Sequence, residues 1–206
     1  MLLADDHLIL RQGLKALLEP AGFAVVGEAS DGREAVRLAR KLNPEVAVLD
    51  LSLPLLNGLD AAREIHQTCA RTRTLMLTMH AEDHYLLEAL RAGVRGYLVK
   101  THAAADLIRA IQDVQRGQIY LDPSLSRAVV EAYLGKTELS ADPLTSRERQ
   151  VLQLVAEGKT TKESARLMSL SIKTVECHRT HIMQKLNIHG VAGLVRYALR
   201  QGLTQL

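Results

Sequence analysis

Five short apolar runs alternate with longer amphipathic stretches through the first half of the chain, and this alternation restricts the fold more than any other feature. The runs are Leu2–Asp5, Ala24–Ala29, Val46–Leu49, Thr74–Met79 and Gly96–Val99. Each has the length of a strand and is apolar enough to be covered on both faces. Leu8, Leu14, Leu17 and Leu18 mark a first helix, which stops near Pro20 and Gly22. Ala35, Val36, Leu38 and Leu42 mark a second, which stops at Asn43 and Pro44. Further helices are predicted over Leu59–Thr68, Tyr85–Ala92 and Ala104–Gln115. Successive strand–helix units predict an α/β domain built on a five-stranded, doubly wound parallel sheet. In such sheets the functional crevice lies beyond the carboxyl ends of the strands.

The pattern then changes. Residues 118–142 are mildly acidic and contain Pro123, Gly135 and Ser140, with Pro143 just beyond, so they are assigned to a linker; Ser124–Leu134 within it has helical spacing. Residues 143–206 give no strand signal. Four helices are predicted there, over Ser146–Ala156, Thr161–Met168, Ile172–Leu186 and Val191–Leu199, with Gly158 as the stop of the first. The second half is thus an all-α, four-helix unit.

Charge follows the same division. Residues 1–120 carry 14 Lys/Arg against 15 Asp/Glu, residues 121–143 carry 2 against 4, and residues 144–206 carry 10 against 4, so the net +3 arises from a +6 tail. A basic tail behind a neutral front points to a polyanionic partner for the tail alone. No apolar stretch is long enough to span a bilayer, so no membrane partner is expected. The N-terminus shows no signal peptide; it begins almost inside a strand, so either that strand is short or a few residues precede it. Cys69 and Cys177 lie far apart and offer neither a disulfide framework nor metal-site spacing, which suits a cytoplasmic protein.

Chemistry concentrates at the strand ends. Asp5 and Asp6 follow the first strand, Asp50 ends the third, Thr78 ends the fourth and Lys100 follows the fifth. Three converging carboxylates need a cation, and their oxygen ligands select a hard one such as Mg²⁺. A carboxylate beside that ion can attack a phosphoryl group. Lys100 and Thr78 supply a charge and a hydroxyl for the phosphoryl oxygens. His7 is assigned to the helix start.

The segments Ala4–Asp6, Val48–Gly58, Leu77–His80 and Gly96–Lys100 resemble the receiver domain of response regulators, a flavodoxin-like fold, over residues 1–117. The resemblance implies Asp50 as phosphoacceptor and direct Mg²⁺ ligation by Asp6, Asp50 and the Ser52 carbonyl, with Asp5 acting through water. It implies phosphoryl contacts from Lys100 and Thr78, and Tyr97 as a switch aromatic that turns inward when Asp50 is phosphorylated.

In the tail, Thr161–Thr180 reads as helix, tight turn, helix, with Ser171 as N-cap of the second helix. Val175, Ile182 and Leu186 form its inward stripe; Lys173, Cys177, Thr180 and Gln184 form an outward face suited to a major groove. Residues 143–188 resemble the LuxR-type DNA-binding domain, with Glu148, Leu152 and Gly158 at characteristic positions, and the whole chain resembles the NarL/FixJ class of response regulators. That resemblance implies base-facing positions for Glu176, Cys177 and Thr180, phosphate contacts from Lys173, Thr174, Arg179 and Lys185, and a last helix that dimerises. Ile172 stands where Pro often opens the recognition helix, and Gly190 stands where Ser or Thr usually caps the last one.

The expected function is transcription regulation rather than enzymatic turnover, since no inserted substrate cap is visible. A sensor histidine kinase would phosphorylate Asp50. The resting receiver would mask the DNA-binding domain or hold it monomeric, and phosphorylation would favour a homodimer on half-sites about one helical turn apart. RNA polymerase is a further expected partner. The alternative is a DNA-binding regulator that works without phosphorylation.

Overall fold

The computed structural model describes residues 1–79, 83–101, 104–122 and 143–204. In the first domain, strands β1 (Leu2–Ala4), β2 (Gly27–Ala29), β3 (Val46–Leu49), β4 (Arg73–Thr78), β5 (Gly96–Val99) and β6 (Tyr120–Leu121) form one sheet in the order β2-β1-β3-β4-β5-β6. Every pairing is parallel. Helices α1 (Leu8–Leu18), α2 (Gly32–Leu42), α3 (Gly58–Thr68), α4 (Asp83–Arg91) and α5 (Ala104–Gln115) connect the strands.

Strand alternation divides the core into two layers. Leu2, Ala4, Ala47, Leu49, Met76 and Tyr97 belong to the cluster shared with residues of α2, α3 and α4. Leu3, Val46, Val48, Leu75, Leu77 and Leu98 belong to the other, shared with Leu107, Ile111 and Val114 of α5. Double coverage explains why β3 is buried at all four positions.

The sheet has six strands, which corrects the five-stranded expectation. The additional one lies within the stretch assigned to the linker. Tyr120 N–H donates to the Arg95 carbonyl at 2.9 Å and Asp122 N–H to that of Tyr97 at 2.9 Å. Two residues carry no period for a pattern to reveal; the strand exists because the edge of β5 offers unpaired backbone groups. The Asp122 carboxylate continues the pairing by accepting from Val99 N–H at 2.9 Å. β2 is shorter than expected because β1 offers it only three partners. The Ser124–Leu134 helix expectation lies outside the described residues.

The second domain comprises α6 (Ser146–Ala156), α7 (Thr161–Met168), α8 (Ile172–Leu186) and α9 (Val191–Arg200). Thr145 with Glu148, and Thr160 with Glu163, form capping boxes at α6 and α7. Ser171 caps α8 through Thr174 N–H, whereas Gly190 gives α9 no side-chain cap. Val151, Leu154, Val175, Ile182, Leu194 and Ala198 pack the core between them.

One close approach fixes the loop after β3. Gly58 N–H donates to the Leu51 carbonyl at 2.7 Å. A Cβ at Gly58 would lie 2.0 Å from the Asp50 carbonyl oxygen. Gly58→Ala is therefore expected to destabilise the first domain by about 3 kcal/mol, read as a lower thermal midpoint. An unchanged midpoint would mean that α3 can withdraw from the loop without cost.

Candidate functional site

The strand order sets the site. β1 and β3 are neighbours, and Asp50 N–H donates to the Ala4 carbonyl at 2.8 Å, so Asp5 and Asp50 emerge side by side. β4 and β5 are paired through Thr78 and Val99, and Lys100 N–H donates to the Thr78 carbonyl at 2.7 Å. Asp5, Asp50, Ser52 and Thr78 are all buried, while Asp6 is exposed at the rim.

Lys100 lies between the two buried carboxylates. Its Nζ is 2.8 Å from Asp5 Oδ2 and 3.1 Å from Asp50 Oδ1. Asp50 Oδ1 also accepts from Leu51 N–H at 2.9 Å. Asp50 Oδ2 is buried and has no hydrogen-bond partner, and the Ser52 hydroxyl is in the same condition. Burial raises the Asp50 carboxyl above its ordinary range; the positive charge of Lys100 opposes this and the Asp5 carboxylate reinforces it. Burial alone would lower the Lys100 ammonium, but attraction to Asp50 and Asp5 outweighs it and the net direction is upward.

His7 is the residue that sequence reasoning undervalued. It precedes α1 but makes no side-chain cap. Its Nδ1 instead lies 2.9 Å from Asp6 Oδ1 and 3.4 Å from Asp5 Oδ1. Asp5, Asp6 and His7 thus bring potential ligand atoms within 4.8 Å of one another. The adjacency in the sequence was visible, but not the direction of the ring. Tyr97 is fully buried in the same cluster as Leu59, Met76, Tyr85 and Leu86. Its ring stands inward in this structure.

On α8, Lys173, Glu176, Cys177, Thr180, Gln184 and Lys185 are exposed, while Val175 and Ile182 are fully buried beneath them. Thr174 is engaged with the Ser171 cap. Arg179 is partly buried and donates to Thr161 Oγ1 at 3.0 Å, joining α8 to α7. Lys185 is committed to α6, with its Nζ 2.7 Å from Glu148 Oε2.

Helix α6 also touches the loop that begins at Asp50. The Gln153 side chain is wholly buried; its Oε1 accepts from Asn57 N–H at 2.8 Å and its Nε2 donates to the Leu53 carbonyl at 2.8 Å. The Glu157 carboxylate accepts from Leu55 N–H at 2.9 Å. Leu55 has φ 63 and packs against the core of the second domain. Arg149 inserts between Glu88 Oε2 at 2.9 Å and Asp60 Oδ2 at 3.7 Å. Leu59 and Tyr85 line a small hollow together with Tyr197 of α9 and the following Gln201 and Leu203. Sequence gave no warning of Arg149, Gln153 or Glu157, because polar residues on an exposed helix face look the same.

Residues 1–112 match the response regulator receiver domain family, and residues 142–198 match the luxR family of bacterial regulatory proteins. The oxygen regulatory protein NreC of Staphylococcus carnosus is 38% identical over 212 residues, covering 98% of each chain. The response regulator UvrY of Escherichia coli is 36% identical over 206 residues, covering 98% of this chain and 94% of that one. A solved structure of RcsB from Salmonella enterica serovar Typhimurium, bound to promoter rprA in the presence of phosphomimetic BeF3−, is similar with TM-score 0.64 and 28% identity. That likeness covers 95% of this chain and 96% of the other.

The Glu148–Lys185 tie supports the face presented by α8. Burial pushes the Glu148 carboxyl up, but Lys185 and both the backbone and hydroxyl of Thr145 outweigh it and hold the group at about 2. The stabilisation is fully present above the ordinary value of 4.5 and is lost as pH falls toward about 2. Glu148→Gln keeps the capping geometry and removes the charge. It is expected to cost about 1–2 kcal/mol at neutral pH, with wild type and variant converging in acid thermal melts. A gap that does not narrow in acid would show that the ion pair contributes nothing.

Proposed function

The chain belongs to the response regulators that carry a receiver and a LuxR-type DNA-binding domain, and from that premise we propose that phosphorylation of Asp50 by a sensor histidine kinase controls dimerisation and DNA binding in the cytoplasm. The observation that supports this most is the course of one loop. It starts at a buried carboxylate with a partnerless oxygen and ends in hydrogen bonds to the DNA-binding domain.

Asp5, Asp6, Asp50 and the carbonyl of Ser52 are the candidate holders of Mg²⁺. The oxygen donors of these four residues, among them the partnerless Asp50 Oδ2, fit a hard cation, and the His7 ring nitrogen is a softer donor close to Asp5 and Asp6. When bound, Mg²⁺ supplies charge neutralisation for the phosphoryl oxygens and for the converging carboxylates. Asp50 Oδ2 is the attacking atom. A bond forms between it and phosphorus while the bond from phosphorus to the donor histidine nitrogen breaks, and the electron pair of that bond leaves with the histidine. Lys100 then exchanges Asp50 Oδ1 for a phosphoryl oxygen, and the Thr78 hydroxyl donates to another.

Tyr97 is already inward, so the loop after β3 is the simpler carrier of the signal. Moving Asp50 and Leu51 displaces Leu53, Leu55 and Asn57, whose backbone groups hold Gln153 and Glu157. The outer face of α8 is exposed in the docked form, with Glu176, Cys177 and Thr180 accessible. Docking therefore does not act by covering the base-facing residues. It engages α6 and the end of α9, which favours control through a dimer made by α9, with RNA polymerase as a later partner. Lys173, Thr174 and Arg179 provide phosphate contacts in this reading, and Lys185 does so only if it leaves Glu148.

Two outcomes are expected. Beryllofluoride with Mg²⁺ tightens wild-type binding to a selected repeat sequence and leaves Asp50→Asn unchanged; equal binding by both proteins in all conditions would favour regulation without phosphorylation. Gln153→Ala removes two short buried interdomain hydrogen bonds and a longer one from the Asn57 amide, worth about 2 kcal/mol together. It should raise unactivated DNA affinity by up to about 30-fold. Unchanged affinity with an intact thermal melt would rule out the docked form as the restraint.

A further inference from the structure

The first domain has a second chemically distinctive region, which shares no lining residue with the acidic crevice. A cleft of about 470 Å³ opens along α2. Val36 and Leu56 give it an apolar floor, and Arg33, Arg37, Arg40 and Lys41 give it cationic walls. The basic residues recur at i, i+4, i+7 and i+8, so one face of α2 carries them all. Glu64 is the single carboxylate in the lining, against four cations.

The four cations are not equivalent. Arg37 pairs with Glu34 at 3.0 Å and Arg40 with Glu64 at 3.4 Å, in both cases an exposed arginine on a half-exposed glutamate, so these pairs exchange with solvent. Arg33 is different. Its Nε and Nη2 are both buried, and neither has a hydrogen-bond partner. The cause is local: Gly32 N–H donates to the Pro54 carbonyl at 3.1 Å, which presses the start of α2 against the loop after β3. Buried guanidinium N–H groups without a partner are unfavourable, and an acceptor of matching fork geometry removes that penalty.

The geometry points to a binding site for a small organic phosphate, its phosphate held by Arg33 and Arg37 and its less polar part laid on Val36 and Leu56. The excess of cations over carboxylates suits a multiply charged anion better than a single carboxylate. A volume of about 470 Å³ suits a small molecule. The arginine forks match phosphate oxygens two at a time.

Calorimetric titration of the full-length Asp50→Asn protein in Mg²⁺-free buffer, with pyrophosphate and then adenosine monophosphate as probes, tests the site while keeping phosphoryl chemistry at the acidic crevice out of the measurement. Saturable one-to-one binding is expected, tighter for the nucleotide, and weakened at least about tenfold by Arg33→Met or Arg37→Ala. Arg71→Ala, an exposed residue outside the cleft, should leave it unchanged. Without probe, Arg33→Met should melt no lower than the parent, since it removes two buried N–H-bearing nitrogens that lack hydrogen-bond partners. With pyrophosphate, the parent should gain thermal stability and the variant should not. Absence of saturable binding, binding indifferent to Arg33 and Arg37, displacement by duplex DNA, or a marked loss of stability in Arg33→Met would each overturn the assignment.

Discussion

Two buried carboxylates share one ammonium at the carboxyl ends of β1, β3 and β5. Burying Asp5 and Asp50 with Lys100 alone leaves the crevice short of positive charge, and a low-dielectric setting magnifies the shortfall. The parallel register makes the arrangement unavoidable, since the pairing of Ala4 with Leu49 places the next residues of both strands side by side. Attraction for a divalent cation derives from that imbalance, while burial is the main cause of the upward-displaced Asp50 carboxyl, whose Oδ2 is left without a partner.

The same strand end also begins the segment that joins the two domains. Gln153 holds the backbone of Leu53 and Asn57 at 2.8 Å, and the Asn57 side-chain amide only at 3.5 Å. Its grip therefore depends on the path of the loop. Hydrogen bonds weaken steeply as donor and acceptor lose alignment. A loop shift smaller than a side-chain length is enough to be felt at α6.

Much of this was legible beforehand, for physical reasons that also mark the limit. β3, β5, α5 and α6 to α8 have the bounds expected from periodicity, because apolar spacing and caps such as Ser171 are properties of single segments. Asp5, Asp50, Thr78 and Lys100 were legible as a group, because strand ends in a parallel sheet have to converge. β6 was not, since two residues carry no period and depend on an open edge. Nor were the ring direction of His7, the commitment of Lys185 to Glu148 or the roles of Gln153 and Arg149. Each is decided by a partner far away in the chain, and the sequence of either partner alone is compatible with an exposed side chain. The burial of Tyr97 was legible in the apolar run of β5, but not its neighbours Tyr85 and Leu86 of α4.

Leu55 adds a mechanical consequence. A leucine with positive φ is held in a conformation that costs about 1–2 kcal/mol relative to an ordinary backbone. Here the cost is sustained by the Glu157 carboxylate and by apolar contact with the second domain. Separation of the domains lets the loop relax, so the docked form works like a sprung catch: its release is helped by tension already present in the holder. The junction is consequently weaker than its number of polar contacts suggests.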